Sequence, residues 1–197
     1  DEGLRLSDMV SDLLNISRIE SGKERLKFTE IDFREIIDHI RKAFAEEIER
    51  KDITFDSIIE GDIGIVYADR DKIIQVLSNL TDNSIKYSNS GCRIAVRVYA
   101  EDNYVIIEHT DTGWGIPEKD LQHIGERFYR GKHGEKTKGT GLGLTLSKEI
   151  INLHGGTMQI NSKFGVGTSV IITLPKGRYE LTEPIIPGGL NAKGNGD

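Results

Sequence analysis

Two glycine-rich stretches hold the residues most suited to chemistry. "DTGWGIP" spans residues 111–117 and "GTGLGL" spans residues 139–144, and each places glycines at every second position. Backbone without a Cβ can take positive φ and come close to a ligand. The second stretch sits at the start of a helix expected from Thr140 to about His154. Unpaired N–H groups and the helix dipole there favour an anion such as a phosphate. Taken alone, either stretch is also explained by a plain turn. Neither is one of the familiar phosphate loops, because no G-x-x-x-x-G-K-[ST] occurs and no G-x-G-x-x-G follows a strand.

Asp111 ends the strand-like run "YVIIEHT" and precedes Gly113. A carboxylate there can accept a hydrogen bond from an exocyclic amine such as that of adenine, or it can close an Asx-turn. Asn79 and Asn83 stand four apart and so share a helix face, with Lys86 on the same stripe. Amide oxygens are hard, neutral ligands suited to a Mg²⁺ that keeps waters and substrate phosphates in its shell. A solvated polar face is the plainer explanation of that stripe.

The elements that must position these residues are legible as periodicities. Residues 3–21 read as a helix with Leu6, Met9, Val10, Leu13, Leu14 and Ile16 on one broad face, ended by Gly22. A strand "RLKFTEID" follows, and Asp32 caps a helix over 33–50. "ITFDSII" and "IGIVYA" read as strands. Asp69 caps a helix over roughly 70–88, with Lys72, Gln75, Asn79, Asp82, Asn83 and Lys86 on one face and Ile73, Leu77, Leu80 and Ser84 on the other. Two strands, "CRIAVRVYA" and "YVIIEHT", flank a turn at Glu101–Asn103. Residues 116–138 read as irregular. "GTMQINS" and "GTSVIITLP" form a closing hairpin. The expectation is an α+β chain: a long helix, then mostly antiparallel strands with helices on one face.

In order and spacing, "NLTDNSIKYS", "DTGWGIP", "ERFYRG" and "GTGLGL" resemble the N box, first glycine box, F box and second glycine box of sensor histidine kinases. "LSDMVSDLLNISRIESG" resembles the end of the second helix of their dimerisation and phosphotransfer hairpin. The resemblance covers about residues 4–175. It implies the two-layer α/β sandwich of the GHKL (Bergerat) ATP-binding fold, shared with gyrase, MutL and the heat-shock chaperone ATPases. It divides the chain into hairpin helix 1–23, catalytic ATP-binding domain 24–176 and flexible tail 177–197.

The resemblance implies ATP and Mg²⁺ as cofactors. Asn83 is the implied metal ligand, with Asn79 and Lys86 near the phosphates and Tyr87 lining the nucleotide cleft. Asp111 is the implied adenine ligand, with Gly113, Gly115 and Ile116 shaping that pocket. Residues 117–138 become an ATP lid, anchored by Phe128, with Arg130 meeting the terminal phosphates and Arg127 a weaker candidate. Gly139, Thr140, Gly141, Leu142, Gly143 and Leu144 close over the phosphate chain. The implied partners are a phosphoacceptor histidine helix and a response regulator. Apart from the resemblance, the apolar stripe of the N-terminal helix has no partner in the sequence, so it is expected to pack against a second copy, or else to fold back on residues 33–50.

Departures qualify the resemblance. Ser84 stands where the kinases usually carry Ala, closer to gyrase and MutL. That keeps a hydrolysing ATPase open, alongside an anti-sigma-type Ser/Thr kinase and a non-catalytic docking module. Asn79 argues against hydrolysis, because an amide cannot serve as base for water near neutral pH. None of the five histidines sits in a phosphoacceptor context. His39 reads as structural, His109 as a strand residue, His123 and His133 as solvated, and His154 as a helix C-cap favoured by the dipole.

Composition bounds the rest. The chain has 197 residues, of which 37% are hydrophobic and 29% charged, the range of a soluble globular protein. A net charge of −6 gives no global field for nucleic acid or anionic lipid. The single Cys92 excludes a disulfide framework and favours a reducing, cytoplasmic setting. No run approaches the ~20 apolar residues of a membrane helix. The chain starts at Asp1, without Met, and reads as a piece of something longer.

Overall fold

The computed structural model describes residues 2–131 and 139–177. Its elements run α1 (Glu2–Glu20), β1 (Thr29–Glu30), α2 (Phe33–Ala43), α3 (Ala45–Arg50), β2 (Thr54–Glu60), β3 (Tyr67–Ala68) and α4 (Arg70–Lys86). They continue with β4 (Arg93–Glu101), β5 (Tyr104–Asp111), α5 (Glu118–Leu121), α6 (Gly143–Leu153), β6 (Thr157–Lys163) and β7 (Gly167–Pro175).

Five strands form one sheet in the order β2-β4-β5-β7-β6, and β1 pairs with β3 in a two-stranded ribbon. β4, β5, β7 and β6 run antiparallel to their neighbours, as expected. β2 is parallel to β4, with β3 and α4 lying between them in the chain. A parallel pair needs such a crossover, whereas the β4–β5 and β6–β7 pairs close through short turns. Alternation along β4 buries Ile94, Val96 and Val98, and β5 and β7 add Val105, Ile107, Val170, Ile172 and Leu174. Apart from Ile94, which packs with Ile53, Ile85 and Cys92 in a smaller cluster, this face packs against Phe33, Ile36 and Ile40 of α2, Ile73 and Leu77 of α4, and Leu146 and Ile150 of α6. Each such side chain contributes about 1.5–3 kcal/mol when fully buried. The result is an α+β sandwich with its helices on one face.

Two caps hold as expected. The Asp32 carboxylate accepts from the Arg34 N–H at 2.8 Å, and Asp69 accepts from the Lys72 N–H at 3.2 Å. The helix expected over 33–50 instead breaks at Phe44, whose N–H caps α2 by donating to the Ile40 carbonyl. The strands expected at 25–32 and 63–68 shrink to two residues each. Gly61 and Gly64, both at positive φ, turn the chain between β2 and β3. Within the stretch read as irregular, the short helix α5 forms.

α6 begins at Gly143, not at Thr140. Gly141 has φ +74°, a left-handed conformation that no right-handed helix accommodates. A Cβ at Gly141 would stand 3.0 Å from the Phe128 backbone, so close packing requires glycine there as well.

The apolar face of α1 finds a partner within the chain. Ile16 and Ile19 are buried in the main core, with Met9 and Leu13 packed against it, and α1 lies on α6. Leu6, Val10 and Leu14, each four residues apart, stay exposed at 63%, 49% and 60%. The expected unpartnered face is thus split in two: one edge docks on the domain and the other faces outward. The segment after α1 fixes the arrangement. Glu24 pairs with Lys72 at 2.8 Å and the Lys27 N–H donates to Asp69 Oδ2 at 2.8 Å. The expected tail over 177–197 lies outside the described residues, apart from Gly177.

Candidate functional site

α4 and α6 cross the inner face of the sheet and leave a cleft of about 910 Å³ between α4, the end of β5 and the loop that starts α6. The polar stripe of α4 brings Asn79, Asn83 and Lys86 to this cleft, followed by Tyr87 at its C-cap. Asp111, Gly115 and Ile116 reach it from the end of β5 and the loop beyond. Arg130 reaches it from the segment after α5. Gly139, Thr140, Gly141, Gly143 and Leu144 complete the wall.

Asp111 is held from several directions. Its Oδ1 accepts from the Gly113 N–H at 2.9 Å and from the Thr168 N–H at 3.3 Å. Its Oδ2 accepts from the Ser84 hydroxyl at 2.7 Å. The Asx-turn reading of Asp-x-Gly is therefore met, and the same carboxylate still borders the cleft. Gly113 itself is buried and does not line the cleft. A Cβ on it would lie 2.7 Å from the Tyr87 carbonyl, so it closes the turn that aims Asp111. Trp114 stacks edge-on against Tyr87 with ring centroids 6.2 Å apart, and its indole N–H donates to Asn89 Oδ1 at 2.9 Å.

Asn79 ties α4 to the glycine loop. Its amide nitrogen donates to the Gly143 carbonyl and to the Ser147 hydroxyl, both at 3.3 Å. Leu142 is fully buried and belongs to the core, not to the cleft wall. It anchors the loop from beneath, and its N–H donates to Thr140 Oγ1 at 3.3 Å. No side chain caps the N-terminus of α6. Ser84 and Asn79 lie five residues apart on α4, about 7.5 Å along the axis at 1.5 Å per residue. α4 thus sets the offset between the Asp111 contact and the glycine loop.

Charge in the cleft is mixed. Lys86 Nζ pairs with Asp82 Oδ2 at 2.5 Å, so an incoming phosphate competes with that carboxylate for the ammonium. Among the described residues no cluster of His, Cys, Asp and Glu could hold a metal ion by itself. Asn83 offers one neutral amide. That donor set suits Mg²⁺ that arrives with nucleotide phosphates and keeps its waters, not a protein-caged ion.

Arg127 ion-pairs with Glu20 of α1 and does not border the cleft. Phe128 does not anchor its segment by burial; the residue is 51% exposed and its backbone takes φ +63°. Ser11 and Asp12 of α1 border the cleft, and Thr140 Oγ1 donates to Asp12 Oδ2 at 3.3 Å. Sequence reasoning missed Thr168 and Asp12 at the site. The Asp111–Thr168 pairing follows from the β5–β7 register, which the hairpin sequence does not specify.

The histidines sort by burial. His39 and His123 are exposed, and His133 lies outside the described residues. His109 is buried with Nε2 3.2 Å from Thr81 Oγ1, and burial pulls its pKa down to about 4. His154 is also buried, and desolvation again lowers its pKa. Its Nε2 accepts from the Asp69 N–H at 3.0 Å, so the proton sits on Nδ1, 2.7 Å from the Ile150 carbonyl. His154 does cap α6, but as a neutral ring and not as the cation that the dipole would favour.

Residues 68–178 match the family model for the histidine kinase-, DNA gyrase B-, and HSP90-like ATPases. The sensor protein RprX of Bacteroides fragilis is 35% identical over 179 residues, covering 89% of this chain and 34% of RprX. The chain thus spans about a third of the length of this curated relative. The structure of the Acinetobacter baumannii histidine kinase AdeS aligns with a TM-score of 0.74 at 27% identity, covering 88% of this chain and 79% of that one. The histidine kinase ThkA, solved in complex with the response regulator protein TrrA, aligns at 0.71 with 29% identity, covering 89% of this chain and 48% of that one. The chain belongs to the histidine kinase-, DNA gyrase B- and HSP90-like ATPase family, as an ATP-binding catalytic domain of the sensor-histidine-kinase kind.

Proposed function

We propose that this chain binds Mg-ATP and presents the γ-phosphoryl group to a histidine on a helix outside the chain, for onward transfer to a response regulator. The observation that carries this reading is one cleft bordered by a fixed carboxylate, Asp111, and by Asn83, Arg130 and an uncapped, glycine-rich helix start. Asp111 Oδ2 accepts the adenine amine. Asn83 holds Mg²⁺, which offsets phosphate charge when bound. Arg130 meets the terminal phosphate, and the glycine loop lets backbone N–H groups approach the phosphate chain. This domain orients the nucleotide and spreads charge, and it makes no covalent bond to the phosphoryl group.

Asn79 favours this reading over hydrolysis. Its amide is engaged with Gly143 and Ser147 and has no basicity with which to activate water. The outward residues Leu6, Val10 and Leu14 suit pairing with the rest of a phosphotransfer hairpin, either from the same protein or from a second copy.

Calorimetry with Mg-ATP tests the reading, beside Asn83→Ala and an EDTA control. Saturable 1:1 binding that weakens in both controls is the expected result. Absence of binding under all conditions overturns it in favour of a docking module.

A further inference from the structure

Both neighbours of Arg130 rest on one buried carboxylate. Asp120, in α5, is only 6% exposed. Its Oδ1 accepts the Tyr129 hydroxyl at 2.9 Å. On the other side, a Cβ at Gly131 would stand 2.9 Å from Asp120 Oδ2, so a side chain at residue 131 would press on the Asp120 carboxylate. Tyr129 is held further by the His123 ring, 5.2 Å away between centroids, and by its N–H donating to the Glu126 carbonyl at 3.2 Å.

Asp120 is itself tied to the sheet. Its N–H donates to the Pro117 carbonyl at 2.8 Å, and the adjacent Ile116 N–H donates to Ser162 Oγ of β6 at 2.8 Å. A short run of contacts therefore leads from β6 through Ile116 and Pro117 to Asp120, then to Tyr129 and Gly131 on either side of Arg130. An arginine on a long flexible stem contributes little unless its backbone is placed, because ordering the stem costs entropy.

We propose that Asp120 is a positioning residue that, through Tyr129 and Gly131, sets Arg130 toward the terminal phosphate of the nucleotide. This rests on the Mg-ATP reading of the cleft. A purely structural carboxylate would lower stability and leave nucleotide discrimination alone. A positioning carboxylate must change the preference for ATP over ADP, since only ATP carries the phosphate that Arg130 meets.

The test is the ratio of Kd for Mg-ADP to Kd for Mg-ATP, measured by calorimetry on the whole chain, with urea unfolding run in parallel. Arg130→Ala should collapse the ratio. Asp120→Ala and Tyr129→Phe should lower it by about three- to tenfold, the net worth of one ordinary hydrogen bond, with ADP affinity held within about twofold. Asp120→Asn, which keeps an acceptor for Tyr129, should restore most of it. Tyr129→Phe keeps the ring volume and serves if Asp120→Ala fails to fold. A ratio unchanged by Asp120→Ala or Tyr129→Phe, while Arg130→Ala collapses it, overturns the positioning role alone. A ratio near one in the unmutated chain, or one that Arg130→Ala leaves intact, overturns the phosphate role of Arg130 and the positioning role with it.

Discussion

Ser84 Oγ donates to Asp111 Oδ2 at 2.7 Å, joining the middle of α4 to the end of β5. The hydroxyl stands where the kinases that this sequence resembles usually carry Ala. Two backbone N–H groups already fix Oδ1 of the same carboxylate, so Ser84 steadies Asp111 without being its sole support. Ser84→Ala should therefore lower stability by about 1 kcal/mol, the net value of one hydrogen bond. Mg-ATP affinity should fall by less than about tenfold. Asp111→Ala should cost far more affinity, because it removes the acceptor itself. Urea unfolding and calorimetry on both variants check this; equal losses of affinity would show that the hydroxyl, and not the backbone, orients the carboxylate.

Asp12 brings a negative charge from α1 to the glycine loop, through its contact with Thr140. Phosphates seated on that loop meet the same charge. At an effective dielectric of about 20, two unit charges several ångströms apart repel by a few kcal/mol at most, and salt reduces this. Asp12→Asn keeps the shape and removes the charge. It should tighten ATP binding several-fold at low salt, with a smaller effect at high salt, and leave adenosine affinity unchanged. Calorimetry with both ligands at two salt concentrations decides. An ATP affinity that does not move would mean that the carboxylate lies beyond reach of the phosphate chain.

The parts of the site that follow from spacing along one element were legible in the sequence. The face of α4 that carries Asn79, Asn83 and Lys86 follows from 3.6-residue periodicity, and the buried set Ile73, Leu77, Leu80 and Ser84 falls opposite, as that period requires. Asp32 and Asp69 announced their helices through cap chemistry. What stayed hidden depends on contacts far apart in the chain. The docking of α1 on α6 is one case, since an apolar stripe states that it needs cover but not which surface supplies it. Gly113 and Leu142 are another. Both sit inside motifs that line a cleft, yet one closes a turn and the other anchors the loop in the core, and only the folded backbone tells these tasks apart. The break at Phe44 was equally silent, because no Pro or Gly marks it.

His109 makes stability depend on pH. In the unfolded chain a histidine titrates near 6.5; buried against Thr81 it titrates near 4. Between those values the unfolded state binds a proton that the folded state does not. Stability therefore rises with pH across this window, and it is lost as pH falls from about 6.5 toward 4, with a slope approaching about 1.4 kcal/mol per pH unit. Below the folded pKa both states are protonated and the loss levels off. His154, also lowered by burial, pushes in the same direction, because a proton on Nε2 would face the Asp69 N–H. Carboxylates titrate below about pH 5 as well, so the range from 5 to 6.5 isolates the histidines. His109→Gln keeps a polar partner for Thr81 and cannot titrate. Stability from urea unfolding across that range should show a shallower pH dependence in the variant than in the unmutated chain, by about 0.9 of one proton's slope near pH 5, falling to about half near pH 6.5. Parallel curves would mean that His109 is not the titrating group.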